Sequence, residues 1–470
     1  MKRVIALAMA VLMMGSVLVG CGAGTTSSST ATSASTTSTE PADPNKPYAG
    51  TVVTFATSDT AAVGAENTDL VEMVKEKTGI QIEFTILPKA GTGEVDKSLV
   101  ALQAGDPIDL IYGTTSQLKP FYNAGVLTPL DEMAAADGYD MKAIYGDNLP
   151  VFDDGKTYGL PAFNDIWVTF YNKKVFDEAG VAYPDPENWT WEKYIETAQQ
   201  LTDIDNQVYG SLMMDYDNYN FFYAQQHGAE FYKEDGTANF DDPRFTESVK
   251  WFYSLGNDLK IQPTITEMVS KVYPWNAFVS TGVANEDGTY NNAQFGMLIC
   301  GGWVASMLPN ADQYPRDWEC GIAPFPYPEG QEPSTLAVTG CYAIPSTSEN
   351  KEAAFEALKC IAENQYTLGY GRVPARVDLT DEEINSYIEE NLVPTFEATD
   401  HITTDMLKDA WFDPDRTILS EKIIGPADTA ISQIWVEEAR LYGQGQQELE
   451  KTMQNIQERS NKAIAAEQAS

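Results

Sequence analysis

KSLVALQAGDPIDLIYGTTS, residues 97–116, is the stretch from which the fold can be inferred. Residues 98–104 suit a short helix, and Gly105 fits the left-handed position that commonly ends one. Asp106-Pro107 then makes a turn, because proline cannot continue a helix. Residues 108–112 are a short apolar run of the kind found in buried strands. The stretch therefore predicts a helix, a turn and a strand, with a polar segment directly after the strand.

The same alternation of strands and helices extends toward the N-terminus. TVVTFATSD at 51–59 is a β-branched run, and IQIEFTIL at 80–87 alternates with the period of a strand. Strand, helix, strand, helix, strand is the order that builds a parallel α/β sheet. Ligands of such sheets bind beyond the carboxyl ends of the strands. We therefore expect Asp59 and Ser116, in the polar segments that follow two of these strands, to line a pocket.

Length and charge limit what the chain can be. After residue 49 about 420 residues remain, which corresponds to two domains or more at about 100–200 residues each. The hydrophobic fraction of 43% is that of a folded globular protein. A formal net charge of −39 argues against binding to nucleic acid and against electrostatic docking on anionic lipid. We expect a soluble, acidic surface on the folded part of the chain.

The N-terminus has the form of an export signal. A charged start precedes an apolar run, 4–19, that is too short for a transmembrane helix. Leu18-Val19-Gly20-Cys21 resembles the lipobox of bacterial lipoproteins, in which the signal is cut before the cysteine and the cysteine is lipidated. The residues that follow are rich in Ser, Thr and Pro and cannot bury enough apolar surface to fold. We therefore predict a signal peptide at 1–20, a lipid on Cys21 and a disordered tether at 21–49.

Catalytic and metal-binding motifs are not recognisable in the sequence. It has no phosphate-binding loop, no nucleophile elbow and no zinc-protease motif, and its two histidines, His227 and His401, lie in no catalytic pattern. With 69 acidic residues, the sequence neither identifies nor excludes the pair of separated carboxylates that a glycosidase needs. We expect no enzymatic activity, no cofactor and no metal.

Four cysteines in addition to Cys21 follow no metal-binding spacing. The sequence leaves two states open, free thiols or one or two disulfides. These residues are Cys300, Cys320, Cys341 and Cys360.

Several segments, taken in order, resemble one protein family. LVALQAGDPIDLIYG with FYNAGVLTPLDEMA, and GKTYGLPAFNDIWVTFYNKKVFDEAGV with NWTWEKYIETAQQLTD, are two blocks of the resemblance. FGMLICGGWVASML and AVTGCYAIPSTSENKEAAFEALKCIAEN follow in the same order. From Thr51 to the C-terminus, the set is similar to the extracellular solute-binding proteins of ABC importers, in particular the maltose-type group. Residues 283–292 lengthen the usual pattern, and 378–415 match it poorly.

This resemblance implies the type II fold of periplasmic binding proteins, with two α/β lobes and a ligand cleft between them. One lobe would comprise 50–162 and 331–378, and the other 163–330 and 379–470. The protein would act as a monomer, held at the outer face of the cell membrane by its lipid. It would bind a small molecule, a carbohydrate by analogy with the maltose-type group, and deliver it to an ABC permease.

A neutral sugar is bound by flat aromatic faces together with fixed polar groups. The resemblance places Trp303, in Gly301-Gly302-Trp303, at the family's stacking tryptophan. It also aligns polar groups and further aromatic rings with contact positions. The expected ligand-binding residues are Asp59, Ser116, Asp165, Trp167, Tyr219, Trp303 and Trp411.

Other ligands and other functions stay open at the level of sequence. Peptides and polyamines are among them, because one fold hosts many functions. An extracytoplasmic carbohydrate-active enzyme is one alternative function. A sensor that presents its ligand to a membrane kinase is another.

Overall fold

The computed structural model describes residues 46–57, 64–87, 97–271, 277–279, 283–284, 290–291, 293–309, 314–413 and 415–468. Two of the predicted functional residues, Cys21 and Asp59, lie outside these ranges. Within them, no helix has both the length and the apolar character needed to cross a bilayer.

Strands and helices alternate one by one up to Asn123, and beyond it runs of helices and runs of strands follow each other. The strands are β1 (Val52–Thr57), β2 (Gln81–Ile86), β3 (Ile111–Thr114), β4 (Leu160–Asn172), β5 (Val208–Leu212), β6 (Val283–Ala284), β7 (Tyr290–Asn291), β8 (Gln294–Gly301), β9 (Cys320–Ala323), β10 (Ser334–Ala343), β11 (Val373–Pro374) and β12 (Thr417–Ser420). The α-helices are α1 (Ala65–Thr78), α2 (Lys97–Ala104), α3 (Thr115–Asn123), α4 (Asp131–Asp137), α5 (Met141–Tyr145), α6 (Lys173–Ala179), α7 (Trp191–Leu201), α8 (Asp217–Gln226), α9 (Pro243–Asn257), α10 (Ile265–Lys271), α11 (Lys351–Asn364), α12 (Asp381–Tyr387), α13 (Val393–Asp400), α14 (Thr404–Trp411), α15 (Asp428–Gly443) and α16 (Leu449–Gln468). A π-helix, Ile388–Leu392, joins α12 to α13, and a 3-10 helix, Gly302–Met307, follows β8.

The N-terminal strands form the parallel arrangement that the sequence predicts. β1 pairs with β2 in parallel, from Val52 opposite Gln81 to Thr57 opposite Ile86. Phe55 of β1 also bridges Leu110, just before β3, in the parallel sense. The predicted α/β alternation is therefore confirmed in this part of the chain.

A second sheet contains the strands that matter for the site. Its order is β12-β10-β4-β8-β5, with β3 paired to β10 and with β9 and β11 paired to β4. β4 is thirteen residues long and buried at every position. Its first half, up to Ile166, pairs with β10, and its second half, from Trp167, pairs with β8 and β9. β4 therefore connects two groups of strands without a break.

The buried apolar side chains divide into one large and two smaller clusters. The large cluster draws on residues between Ile166 and Ile464 and includes Trp191 and Trp435 among its fully buried rings. The smaller clusters draw on residues 53–163 and 341–362. This separation lies close to the lobe limits proposed from the sequence, which stay a prediction.

The helix that follows β3 is fixed by its first residues. Thr114, the last residue of β3, is the N-cap of α3 and accepts a hydrogen bond from the backbone N–H of Gln117. The Gln117 side chain in turn accepts one from the N–H of Thr114, at 2.9 Å. This reciprocal capping stabilises the start of a helix, and it sets where Ser116 and Lys119 lie relative to the sheet.

Candidate ligand-binding site

The carboxyl ends of two strands meet at the middle of β10. β12 runs parallel to β10 and ends with Ser420 opposite Ala337. β3 runs antiparallel to β10 and ends with Thr114 opposite Gly340. Along this edge, only two residues of β10, Val338 and Thr339, lie between the end of β12 and the end of β3. In open α/β sheets, ligands bind beyond the carboxyl ends of strands, so this gap is the candidate site.

Two acidic residues lie in one row of the sheet, on either side of β10. Asp165 of β4 is paired with Val338. Glu421 continues the β12 pairing by one residue, with its backbone N–H donating to the carbonyl of Ala337 at 3.0 Å. Residues in one row of a sheet project from the same face. Asp165, Val338 and Glu421 therefore share a face, and both acids are buried.

An arginine neutralises Asp165. Nη1 of Arg372 donates to both oxygens of Asp165, at 2.7 and 2.9 Å, and Nε and Nη2 donate to Glu66 of α1 at 3.0 and 2.9 Å. The guanidinium also lies 4.2 Å from the ring centroid of Phe163. Burial raises the pKa of Asp165, and Arg372 opposes that shift. These contacts therefore fix the orientation of the Asp165 carboxylate before any ligand binds.

Three tryptophans lie around a pair of glycines at the end of β8. A Cβ built on Gly301 would lie 2.8 Å from Cδ1 and Nε1 of Trp303 and 3.0 Å from Cζ3 of Trp167. One built on Gly302 would lie 3.6 Å from Nε1 of Trp411. Trp167 and Trp411 are buried, whereas Trp303 is only half-buried. The glycines therefore leave the room that these indoles occupy, and Trp303 retains exposed surface.

Sequence comparison identifies the family of the chain. The profile of the family described as bacterial extracellular solute-binding protein matches residues 60–367. The chain belongs to this family. The membership predicted from the ordered sequence segments is therefore confirmed.

Similar proteins match most of the chain. A binding protein of Brucella abortus is 25% identical over 347 residues, which are 72% of this chain and 77% of the relative. The diacetylchitobiose binding protein of Streptomyces coelicolor is 23% identical over 335 residues, 69% and 72% of the two chains. An ABC substrate-binding protein of Listeria monocytogenes, solved with cycloalternan, is 20% identical and has a TM-score of 0.70 over 88% of this chain and 99% of its own. This likeness confirms the predicted fold, two lobes with a ligand cleft.

The structure brings some of the expected ligand-binding residues of this solute-binding protein together. Asp165, Trp167, Trp303 and Trp411 surround the end of β8 and the middle of β4. Ser116 lies in the first turn of α3, half-buried, with its hydroxyl 3.1 Å from Oγ1 of Thr114. Their contact with ligand stays a prediction.

Tyr219 is placed differently from a residue that faces a ligand. It has no exposed surface, and its hydroxyl donates to the carbonyl of Ile299 at 2.5 Å. Its aromatic neighbours include Phe222 and Phe252, so the ring is part of the large core cluster. Its placement gives no support to ligand contact, which was expected from the resemblance and stays untested.

Two features that the sequence analysis left open are described by the structure. The four cysteines, Cys300, Cys320, Cys341 and Cys360, are buried free thiols. Burial raises the pKa of Cys360 to about 11 and that of Cys341 to about 12. Within the described ranges, no group of three or more His, Cys, Asp or Glu side chains could hold a metal ion.

Sequence reasoning missed Glu421 and Tyr112. Glu421 is 3% exposed, its Oε2 has no hydrogen-bond partner among the described residues, and Lys422 binds Oε1 at 2.9 Å. Tyr112, near the end of β3, is 43% exposed and stacks on Phe163 with 6.1 Å between ring centroids. No local motif marks Glu421, whereas the run IDLIY, 108–112, which ends in an aromatic residue, could have drawn attention to Tyr112.

Proposed function

We propose that this protein captures a carbohydrate in the cleft between its lobes and delivers it to an ABC permease. The observation that carries the proposal is the meeting of strand ends with two buried acids and the Trp303 ring. Indole faces pack against the C–H surfaces of sugars, and carboxylates bind their hydroxyls. A site of this composition suits a neutral, polyhydroxylated ligand.

The names of similar proteins support the same class of ligand. The Streptomyces coelicolor relative is a diacetylchitobiose binding protein, and the Listeria monocytogenes structure holds cycloalternan. Both are oligosaccharides. Arg372 already donates hydrogen bonds to both Glu66 and Asp165. Few of its N–H groups remain to bind a carboxylate or a phosphate of a ligand. We therefore favour a neutral oligosaccharide over an acidic one.

The proposal includes the position of the protein in the cell. An export signal at 1–20, a lipid on Cys21 and a tether at 21–49 would hold a binding protein at the outer face of the membrane. Two or more acyl chains give a stable anchor, whereas one gives only marginal binding. We further propose the two lobes as 50–162 with 331–378 and 163–330 with 379–470, acting as a monomer.

A thermal-shift panel tests the ligand class. The panel contains diacetylchitobiose, maltotriose, arabinotriose and cycloalternan, with trialanine and spermidine as representatives of the other ligand classes. A ligand at about 100 times its Kd should add about 2.7 kcal/mol to the free energy of unfolding. A rise in melting temperature with at least one sugar is expected. A rise with only the peptide or the polyamine would overturn the carbohydrate assignment.

Two further measurements separate transport from the alternative functions. We propose that the protein returns its sugar unchanged, so chromatography after long incubation should show no product. Turnover that disappears in Asp165→Asn would identify an enzyme instead. Uptake of the labelled sugar by cells that lack this protein should be impaired. Normal uptake, with loss of a sugar-induced response, would identify a sensor.

A further inference from the structure

We infer that Glu421 is a ligand-binding residue of the cleft, and that its free Oε2 hydrogen-bonds a sugar hydroxyl beside Asp165. This inference rests on the proposed carbohydrate function and adds a residue that neither the sequence motifs nor the family resemblance indicates. It is carried by three observations. They are the position of Glu421 in the sheet, the state of its carboxylate and a hydrogen bond between the segments that follow β12 and β3.

The register of the sheet places Glu421 at the site. Its N–H continues the β12 ladder to Ala337, so its side chain belongs to the row that contains Val338 and Asp165. Asp165 lies on the other side of β10 in that row. Because β12 ends at Ser420, Glu421 lies at the boundary between the end of β12 and the end of β3. Two acids from distant parts of the chain therefore lie on one face of the sheet, with β10 between them.

The carboxylate of Glu421 is incompletely satisfied. Lys422 holds Oε1, while Oε2 is buried without a hydrogen-bond partner among the described residues. Burial raises the pKa of Glu421 to about 7, Lys422 opposes the shift, and Asp217 of α8 and Asp165 add to it. A buried polar atom without a partner costs stability. A ligand that hydrogen-bonds Oε2 of Glu421 would supply the missing partner and would account for this buried, unsatisfied oxygen.

Glu438 shows what a structural buried glutamate looks like in the same protein. It is also buried, but Arg459 binds its Oε1 at 2.7 Å, and Gln447 and Asn455 bind its Oε2 at 2.8 and 2.9 Å. Although burial acts to raise the pKa of Glu438, these hydrogen bonds lower it. Because both glutamates are buried, the difference between their pKa shifts comes from their hydrogen-bond partners.

A hydrogen bond joins the segment after Glu421 to the helix that follows β3. Nζ of Lys119, on α3, donates to the carbonyl of Gly425 at 2.9 Å, across 306 residues of sequence. Gly425 follows Glu421 by four residues in the segment that leads to α15. This bond holds the segment against the helix that begins at the end of β3. Because Oε2 of Glu421 is buried, part of its surroundings must move before a ligand can reach it.

The chemistry of the group favours a hydroxyl as its partner. A hydroxyl can donate to an ionised carboxylate and can accept from a protonated one. It therefore suits an acid that titrates near neutral pH. A ligand carboxylate can only accept, and it would meet the charges of Asp165 and Asp217. The inferred contact thus agrees with a neutral sugar.

The test compares Glu421→Gln with Glu438→Gln. For each variant, we would measure the melting temperature without ligand and the Kd by calorimetric titration with diacetylchitobiose and maltotriose, or with the panel sugar that shifts the wild type most. Glu421→Gln should bind roughly tenfold more weakly or worse, since hydrogen bonds to charged groups are the stronger ones. Its melting temperature should stay the same or rise. Glu438→Gln should melt lower and keep the wild-type Kd.

The outcomes are distinguishable. If no sugar shifts the wild type, the proposed function fails, and this inference fails with it. If the wild type binds a sugar and Glu421→Gln binds it equally well, only the inference is overturned, whatever happens to the melting temperature. If Glu421→Gln does not fold, Glu421→Asp, which withdraws the carboxylate by one methylene, is measured in the same way and decides by the same criterion.

Discussion

Replacement of Gly301 by alanine should displace the Trp303 ring without straining the backbone. Gly301 has φ −68° and ψ 159°, a conformation open to any residue. A Cβ there would lie 2.8 Å from Cδ1 and Nε1 of Trp303, whereas ordinary contact begins at 3.4 Å. Trp167, at 3.0 Å, is buried and cannot move easily. The half-buried Trp303 would therefore shift, by about 0.6 Å or more, to relieve the overlap.

The size of the effect follows from the cost of overpacking. Extra methylenes in a packed site cost about 1–3 kcal/mol. If a sugar stacks on Trp303 in its present position, that cost appears in the bound state, and Kd rises about 5- to 150-fold. In the empty protein the ring can move toward the cleft, so the melting temperature should change little. Calorimetric titration with the panel sugar, beside melting curves of the empty protein, measures both quantities.

Gly296→Ala is the matched control. Gly296 lies on the same strand, and a Cβ there would also have its nearest side-chain contact at 2.8 Å, with Cδ1 of Leu201 on α7. The same methyl group is thus added at the same distance, but away from the tryptophans. This variant should lose stability and keep the wild-type Kd. A Gly301→Ala protein that binds sugar as well as the wild type would refute the assignment of Trp303 as the stacking ring.

Three other predictions address the ring, the anchor and the buried acid. Trp303→Ala should cost about 2–4 kcal/mol of binding, or about thirtyfold to a thousandfold in Kd; a large fall in melting temperature with unchanged Kd would instead place the ring in the core. Cys21→Ala should move the protein from the membrane fraction to the medium or to uncleaved precursor in cell fractionation, and a processed, membrane-bound variant would contradict lipidation. Because burial raises the pKa of Glu421 from 4.5 to about 7, its contribution to stability is fully present below pH 4.5 and is lost as the pH rises through 7. The free energy of unfolding of the wild type relative to Glu421→Gln should therefore fall by about 3 kcal/mol between pH 4.5 and 8 in denaturant titrations, and a difference independent of pH would show that Glu421 titrates normally.

Secondary structure could be predicted from the sequence where it depends on residues that are close together in the chain. The parallel pairing of β1 and β2 follows from two short apolar runs with a helix between them, and α3 begins directly after the strand that was predicted to end in a polar segment. The limits of β4, Leu160–Asn172, are not marked by an alternating pattern in the sequence. The strand is buried on both faces, so it lacks the alternation that would have marked its full length.

The site depends on strand pairings between residues that are far apart in the chain, and no short sequence pattern predicts such pairings. Glu421 gains its position from Val338 and Asp165, far away in the sequence, and its neighbours carry no motif. Asp165 was expected to contact ligand, but the salt bridge to Arg372 that holds it could not be foreseen, because Arg372 lies about 200 residues further along the chain. The tryptophans were indicated by the family resemblance, and of the three only Trp303 directly follows glycines. The spacing of the cysteines in the sequence does not decide whether they pair, and the structure has all four as free thiols.

The uninterrupted course of β4 affects how this chain could be divided. The strand pairs with β10 up to Ile166 and with β8 from Trp167, and it is one continuous extended segment at that point. Both halves of the sheet therefore depend on backbone hydrogen bonds to the same strand, β4. A cut at this position would leave unpaired edges on both pieces, of the kind that promote aggregation. Labels, affinity tags or inserted reporter domains are better placed elsewhere, for example at the exposed turn around Gly236, where an added Cβ would meet no atom within 4 Å.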